Sequence, residues 1–408
     1  MPHPWHILGR CAFLPLLVAT VGACGADDDS VSLDPSCTAN GCLQEYRLVG
    51  QYSKNVVQGF LQAGVTIDNG YSVYTMRFAT DGKTSSATVT IPYDPGLQPP
   101  AGGYHIVANN HGSFGIDDPC ALAGTNEGIG LSGYFGARGL IGVTVDYPGM
   151  GTSGVHTYLG LREEGASVLD GLRATVALAK ELEAPTSGRF ALAGLSQGGH
   201  ATLAAATLHT TYAPELNIRA FAAAGPATAW EKHWSEGVAY AGSHIVYHAM
   251  LMYAWVVNEP EWAGLSLWHS SIAATIGSTL TGSCLWSTPS LFDQIPWSAE
   301  SVFDPSFLQA YRTRSWGAYA AVSRTFSKNA IAPYTQTAPL RIYQGDRDTT
   351  TPLYATREMV DALRAGGVTV DFQIVPGADH LDIAFGYLAY YQRRTEDAIA
   401  WLGDRLAS

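Results

Sequence analysis

The sequence predicts an α/β fold: a mostly parallel central sheet flanked by helices, with a large helical lid inserted before the last strands. Six apolar runs of strand length, without strict alternation, recur between residues 104 and 377, as expected of strands buried on both faces. Helix-like segments separate several of them, and strand alternating with helix implies parallel pairing. From about 229 to 335 that rhythm stops, and the interval holds eight of the ten tryptophans.

Composition supports a large core. Of 408 residues, 47% are hydrophobic and 14% charged, which excludes a mainly disordered chain. The length would admit two domains or one elaborated α/β unit, and there is no internal repeat. The formal net charge is −12 with no lysine- or arginine-rich run, which argues against nucleic acid as a partner because phosphate binding needs a basic footprint.

Residues 1–23 read as a signal peptide. After "MPHPWHILGR" comes the apolar run "CAFLPLLVATVGA", too short to span a bilayer and the right length for a secretory signal. It ends in "VGAC", which resembles the lipobox of bacterial lipoproteins. That resemblance implies that Cys24 is acylated and that the mature chain is exported and anchored to an envelope membrane. The alternative is ordinary cleavage nearby, a free Cys24 thiol and a secreted protein. Residues 24–45 then form a tether and N-terminal loop, in which Asp27-Asp28-Asp29 is a solvated linker more simply than a calcium site.

With Cys11 removed and Cys24 acylated, Cys37, Cys42, Cys120 and Cys284 remain, an even number that suggests disulfides in an exported chain. Cys37–Cys42 would close a short loop and Cys120–Cys284 would tie a core loop to the insertion, although sequence does not fix connectivity. The spacing carries no zinc pattern, and no metal or other cofactor is expected.

The first part of the core runs over 46–228. "YSVYTMRFATDGKTSSATVTIPYDP" (71–95) reads as two strands around a "TDGK" turn. Strands follow at 104–110, 140–147, 189–195 and 218–225, with helices at 162–184 and 197–212. The lid occupies 229–335; most of its aromatics must be its own packing core, and a minority should line a pocket. The second part of the core, 336–408, adds strands at 340–345 and 369–377 and helices at 352–367 and 392–407.

Chemistry concentrates at "FALAGLSQGGHATLAAATL" (190–208). Gly194-Leu195-Ser196-Gln197-Gly198 sits between an apolar strand and a helix, the context of a nucleophile elbow. Such a turn holds serine in a strained conformation, so Gly194 and Gly198 must be small where chain and helix crowd together. It lifts the Ser196 hydroxyl above the sheet and aims the Gln197 amide at whatever the serine attacks. After the lid, "LRIYQGDRDTTTP" offers Asp348, with Asp346 as a rival whose simpler role is in the turn. "IVPGADHLD" then places His380 in the loop after the last strand. His380 would take the Ser196 proton while Asp348 fixes its tautomer. "YHIVANNHGSFG" ends a strand at His111-Gly112-Ser113. The amide of Ser113, or else of Gly112, would join that of Gln197 in an oxyanion hole. His244 and His248 lie four apart on an expected helix but have no glutamate between them, so they read as lid residues. His200 reads as packing under the site.

These motifs resemble those of the α/β-hydrolases over about residues 70 to 405. Asp348 followed by Thr351-Pro352 resembles the pattern G-x-x-D-x-x-V-P, with threonine for valine. His111-Gly112 resembles the HG oxyanion loop, and "VTVDYPGMGTSG" the D-Y-x-G-x-G loop. "AGLSQGGHATLAAA" followed by "TYAPELNIRAFAAAGPAT" is similar to secretory lipases of the lipase A type. That likeness implies a helical lid and ester hydrolysis, often with fatty acyl chains bound under the lid. The expected function is a serine carboxylic ester hydrolase acting on apolar small-molecule or lipid esters through an acyl-enzyme. Alternatives are a polyester- or cutin-type hydrolase, a serine peptidase, though no second substrate-binding domain is evident, and a non-catalytic binding module.

Overall fold

A computed structural model describes residues 30–60, 67–228, 230–239, 242–384 and 396–408. The signal segment, Cys24 and Asp27-Asp28-Asp29 lie outside the described residues. Among the described residues one sheet has ten strands: β1 (Ser30–Ser32), β2 (Leu43–Tyr52), β3 (Gly70–Thr80), β4 (Lys83–Tyr93), β5 (Tyr104–Asn110), β6 (Ile141–Val145), β7 (Thr186–Leu195), β8 (Asn217–Ala224), β9 (Leu340–Gly345) and β10 (Val370–Val375). Their order is β1-β2-β3-β4-β6-β5-β7-β8-β9-β10. β6, β5, β7, β8, β9 and β10 pair in parallel, whereas β1 to β4 and the β4–β6 join are antiparallel.

The parallel strands carry the expected apolar runs, and β6 is buried along its whole length, but β10, at the sheet edge, is buried only at Val370. Helices α1 (Lys54–Phe60), α2 (Asn126–Gly136), α3 (Leu161–Glu181) and α4 (Gln197–Tyr212) precede the insertion. α3 and α4 pack on the sheet and on each other, with Leu169, Leu172, Leu178, Leu203 and Ala204 fully buried. The β3–β4 hairpin turns through Asp81 (φ 43°) and Gly82 (φ 76°), the paired left-handed conformation that lets a two-residue loop follow the strand twist.

Two elements differ from the sequence expectation. The sheet begins inside the segment 24–45 expected to be a tether and loop: β1 and the start of β2 lie there. β2 shifts register between Leu43 and Glu45 and again between Leu48 and Gly50; such bulges break the period-2 pattern that marks a strand. α2, "NEGIGLSGYFG", carries four glycines, which hide a helix from propensity. Packing on β4 and β6 holds it in place.

Between β8 and β9 the chain forms α5 (Glu231–Gly237), α6 (Ile245–Asn258), α7 (Ile276–Gly282), α8 (Ala299–Val302), α9 (Pro305–Thr313) and α10 (Ala320–Asn329); α11 (Leu353–Ala365) and α12 (Glu396–Ala407) follow β9 and β10. The insertion has its own apolar core, including Trp255, Trp262, Phe303, Phe307, Tyr311 and Phe326, joined by Tyr158 and Leu159 from the loop before α3. Most of its aromatics therefore hold the insertion together. Disulfides join Cys37 to Cys42 and Cys120 to Cys284, and the second ties the loop after β5 to the insertion. No helix among the described residues is long and apolar enough to cross a membrane.

Candidate active site

β7 ends at Leu195 and α4 starts at Gln197, so Ser196 alone makes the turn, at φ 59° and ψ −117°. A non-glycine residue held there carries local strain, which persists only where the surroundings over-determine it. Its N–H donates to Ala224 O at 2.9 Å, and its carbonyl accepts from His200 N and Ala227 N, both at 3.0 Å. A Cβ on Gly198 would overlap the Asn110 carbonyl and come within 2.8 Å of His111 O. The tight strand-to-helix turn therefore needs glycine there. One on Gly194 would overlap the Gly198 carbonyl. As the first helical residue, Gln197 has no acceptor for its N–H within α4.

Asp348 lies in the loop after β9. Its Oδ1 accepts from Thr350 N at 2.9 Å and Thr351 N at 2.8 Å; Oδ2 accepts from Gln344 Nε2 and Thr351 Oγ1, each at 2.9 Å, and lies 2.8 Å from His380 Nδ1. Burial pushes the Asp348 carboxyl up, yet the facing His380 ring and these donors outweigh it and hold its pKa below the ordinary value. Thr351, the departure from the valine pattern, grips the carboxylate through both backbone and hydroxyl. Asp346 is exposed and accepts from Gly377 N at 2.6 Å, so it closes the turn and leaves His380 to Asp348.

Gly225, at φ 44°, sets the Asp–His pair beside the elbow. A Cβ there would lie 3.2 Å from both Asp348 Oδ2 and His380 Cε1, and Gly225 directly follows the residue whose carbonyl takes the Ser196 amide. Ser196, Asp348 and His380 thus gather at the carboxyl ends of β7, β9 and β10, where open α/β sheets place their sites.

Ser113 follows β5. Its hydroxyl lies 2.6 Å from Tyr158 Oη and its carbonyl accepts from Trp286 Nε1 at 2.9 Å. A Cβ on Gly112 would sit 3.8 Å from Ser196 Cβ, which brings this loop against the elbow. Leu285 N donates to Phe114 O at 2.8 Å, so the insertion is stitched to the loop beside the disulfide.

His200 is more than packing. Its Nδ1 lies 2.6 Å from Oε2 of the fully buried Glu164. His156 Nε2 lies 3.3 Å from the other carboxylate oxygen. Burial pushes Glu164 up, but its partners, the His200 ring foremost, outweigh it and hold its pKa at about 2. Sequence reasoning missed Glu164, Tyr158 and Trp286. A signal existed for the first: Glu164 shares a helix face with Val168, Leu172 and Thr175, all buried, and a carboxylate on an apolar face calls for a buried partner.

His244 sits at the N-cap of α6, and burial above all, with His380 next, pulls its pKa below the ordinary value. His248 is buried in the insertion core, 2.9 Å from Tyr311 Oη and edge-on to Trp234. No cluster among the described residues could hold a metal ion. Burial, followed by the neighbouring His244, pulls the His248 pKa down to about 3. The unfolded chain therefore takes up this proton near pH 6.5 and the folded chain only near 3, so stability falls as pH drops between them. The slope reaches about 1.4 kcal/mol per pH unit for one proton. Denaturant melts at pH 7, 6, 5 and 4 should show His248→Gln losing less stability than wild type; parallel losses would refute the assignment.

A family model for secretory lipases matches residues 134–246, and one for the prolyl oligopeptidase family matches 276–408. Lipase A of Moesziomyces aphidis is 32% identical over 141 residues, which span 32% of this chain and 29% of that protein. The rice cell wall degrading esterase LipA from Xanthomonas oryzae superposes at TM-score 0.72 with 19% identity, over 90% of this chain and 99% of that one. The chain has the α/β-hydrolase fold. The closed state of Candida antarctica lipase A shares this α/β-hydrolase architecture at TM-score 0.64 and 18% identity, over 90% of this chain and 91% of that one. The chain also resembles the secretory lipases in sequence, and the matched stretch, 134–246, contains the elbow. That likeness and the two disulfides suggest an exported protein.

Proposed function

We propose that this α/β-hydrolase is a serine carboxylic ester hydrolase that turns over apolar acyl esters through an acyl-enzyme. One observation carries the reading: a strained serine makes the strand-to-helix turn, and Gly225, next to the acceptor of its amide, lies against a histidine whose Nδ1 is held at 2.8 Å by a buried carboxylate. Ser196 Oγ attacks the ester carbonyl as His380 Nε2 takes its proton. Asp348 keeps the other nitrogen protonated, and the amides of Gln197 and Ser113 stabilise the tetrahedral oxyanion. The imidazolium then protonates the departing alkoxide. Water, activated by the same histidine, hydrolyses the acyl-Ser196 ester to free acid and serine.

The insertion, 229–335, is the lid, and its aromatic composition favours apolar acyl or aromatic groups. Cys24 is the acylation site that anchors the mature chain to an envelope membrane. The prolyl oligopeptidase match over 276–408 supports a second reading, amide hydrolysis by the same three residues. The described residues include only one sheet and no propeller that would select peptides.

The direct test is labelling with a fluorophosphonate, followed by peptide mass mapping and by turnover of nitrophenyl esters and peptidyl anilides. One equivalent on Ser196 with ester turnover is expected. Preference for anilides would favour the peptidase, and absence of both labelling and turnover would overturn a serine hydrolase.

A further inference from the structure

The elbow requires only the backbone N–H of the residue after the nucleophile, so the side chain of Gln197 is free to be anything that fits. It is nevertheless fully buried and turned inward. Its Nε2 lies 2.9 Å from Glu164 Oε1 and 2.6 Å from His156 Nε2. Two nitrogens at that separation share one hydrogen, so His156 accepts there and both amide hydrogens of Gln197 are committed. The same carboxylate accepts from Leu159 N at 2.9 Å and lies 2.6 Å from His200 Nδ1, and the His200 N–H donates to Ser196 O at 3.0 Å. On the other side, the His156 ring stacks on Tyr147 at 5.1 Å, and the Tyr147 hydroxyl donates to His111 O at 2.9 Å, immediately before Gly112 and Ser113.

A carboxylate fully withdrawn from water is costly unless its partners use every lone pair. This one is met by Gln197, Leu159 N and His200, with His156, Tyr147 and Tyr158 close by, and none of these groups takes part in the proton transfers proposed above. Its contacts converge on the two chain segments proposed to supply oxyanion donors: directly on Gln197, and through His156 and Tyr147 on the segment that leads to Ser113.

We infer that Glu164 is a positioning residue: by gripping the Gln197 side chain it fixes the direction of the Gln197 amide, and so serves binding of the oxyanion rather than of the substrate. This rests on the serine hydrolase reading.

The discriminating readout is a pair of substrates, a nitrophenyl ester and the thionoester with C=S at the acyl carbon. Sulfur accepts hydrogen bonds weakly, so amides aimed at an oxyanion favour the ester strongly, whereas general damage to the nucleophile or the fold lowers both rates together. For the full exported chain, Gln197→Ala is expected to lower kcat for the ester about 10- to 100-fold, a fraction of the loss from deleting a donor. KM should stay within about twofold, and the ester-to-thionoester ratio should fall by a factor similar to that in kcat. Glu164→Gln, which keeps an acceptor for Gln197 and Leu159, should recover most of that ratio. If Gln197→Ala does not fold, Gln197→Met keeps the length without the hydrogen bonds and carries the same expectation. An unchanged ratio in a folded Gln197 variant, or equal losses on both substrates, overturns the inference. Those outcomes leave the serine hydrolase reading standing, which fails separately if wild type has no turnover or if turnover survives loss of Ser196.

Discussion

Replacing Ser196 by alanine is expected to lower kcat for a short nitrophenyl ester about 10⁵- to 10⁶-fold while leaving the protein folded. Loss of a serine nucleophile removes the covalent step and with it the use of the paired histidine, so the effect is nearly that of losing all three residues. What remains is water attack on an ester held by the oxyanion donors, about 10³–10⁴ over solution. The fold should survive because the Ser196 side chain makes no capping hydrogen bond to α4. Alanine at φ 59° bears the same backbone strain as serine, so a thermal midpoint within a few degrees of wild type is expected. Matched melts and progress curves check both halves of the statement. Turnover within tenfold of wild type would remove Ser196 from the reaction and return the elbow to the status of geometry.

The parts of this site that were legible in sequence share one property: each is local. The strand before the elbow, the Gly-x-Ser-x-Gly turn and the helix after it are contiguous, and the turn chemistry requires specific residues in fixed order. Asp348 and His380 each follow an apolar strand in the order the fold implies, and the Thr351-Pro352 pattern was enough to favour Asp348 over Asp346. What stayed hidden depends on distant residues meeting. Glu164 finds Gln197 and His200 only because α3 and α4 pack side by side, and Trp286 reaches Ser113 from 173 positions away. β2 and α2 escaped for a different reason. Bulges in one and glycines in the other erase the local periodicity, and pairing to β3 or packing on β6 supplies what propensity lacks. The aromatic wealth of the insertion was legible, but its division between self-packing and pocket was not, since Trp255 and Trp262 lie in its core while Trp286 is 52% exposed beside the site.

Asp348→Asn is expected to lower kcat about 10⁴-fold, and the reason lies in what surrounds the carboxylate. Every polar group facing it is a donor: Thr350 N and Thr351 N on Oδ1, and Gln344 Nε2, Thr351 Oγ1 and His380 Nδ1 on Oδ2. An asparagine must turn its amide nitrogen to one side or the other. Facing His380, the nitrogen would donate to Nδ1 and move the ring proton to Nε2, the tautomer that cannot take a proton from Ser196. Facing the two backbone amides, it would set donor against donor, leaving buried N–H groups unpaired at about 1–3 kcal/mol each. The first arrangement destroys the general base and the second loosens the loop that holds it, so the loss in rate should come with a modest loss in stability. That stability term has a definite sign with pH. Because the folded carboxyl titrates below its ordinary value, its contribution is present at neutral pH and fades as acid protonates it, and the variant should lack this acid-dependent loss. Asp346→Asn supplies the contrast. Its carboxylate is exposed and accepts a single amide, from Gly377, so kcat should stay within about threefold. If instead Asp346→Asn is crippled and Asp348→Asn is mild, the acid has been assigned to the wrong aspartate.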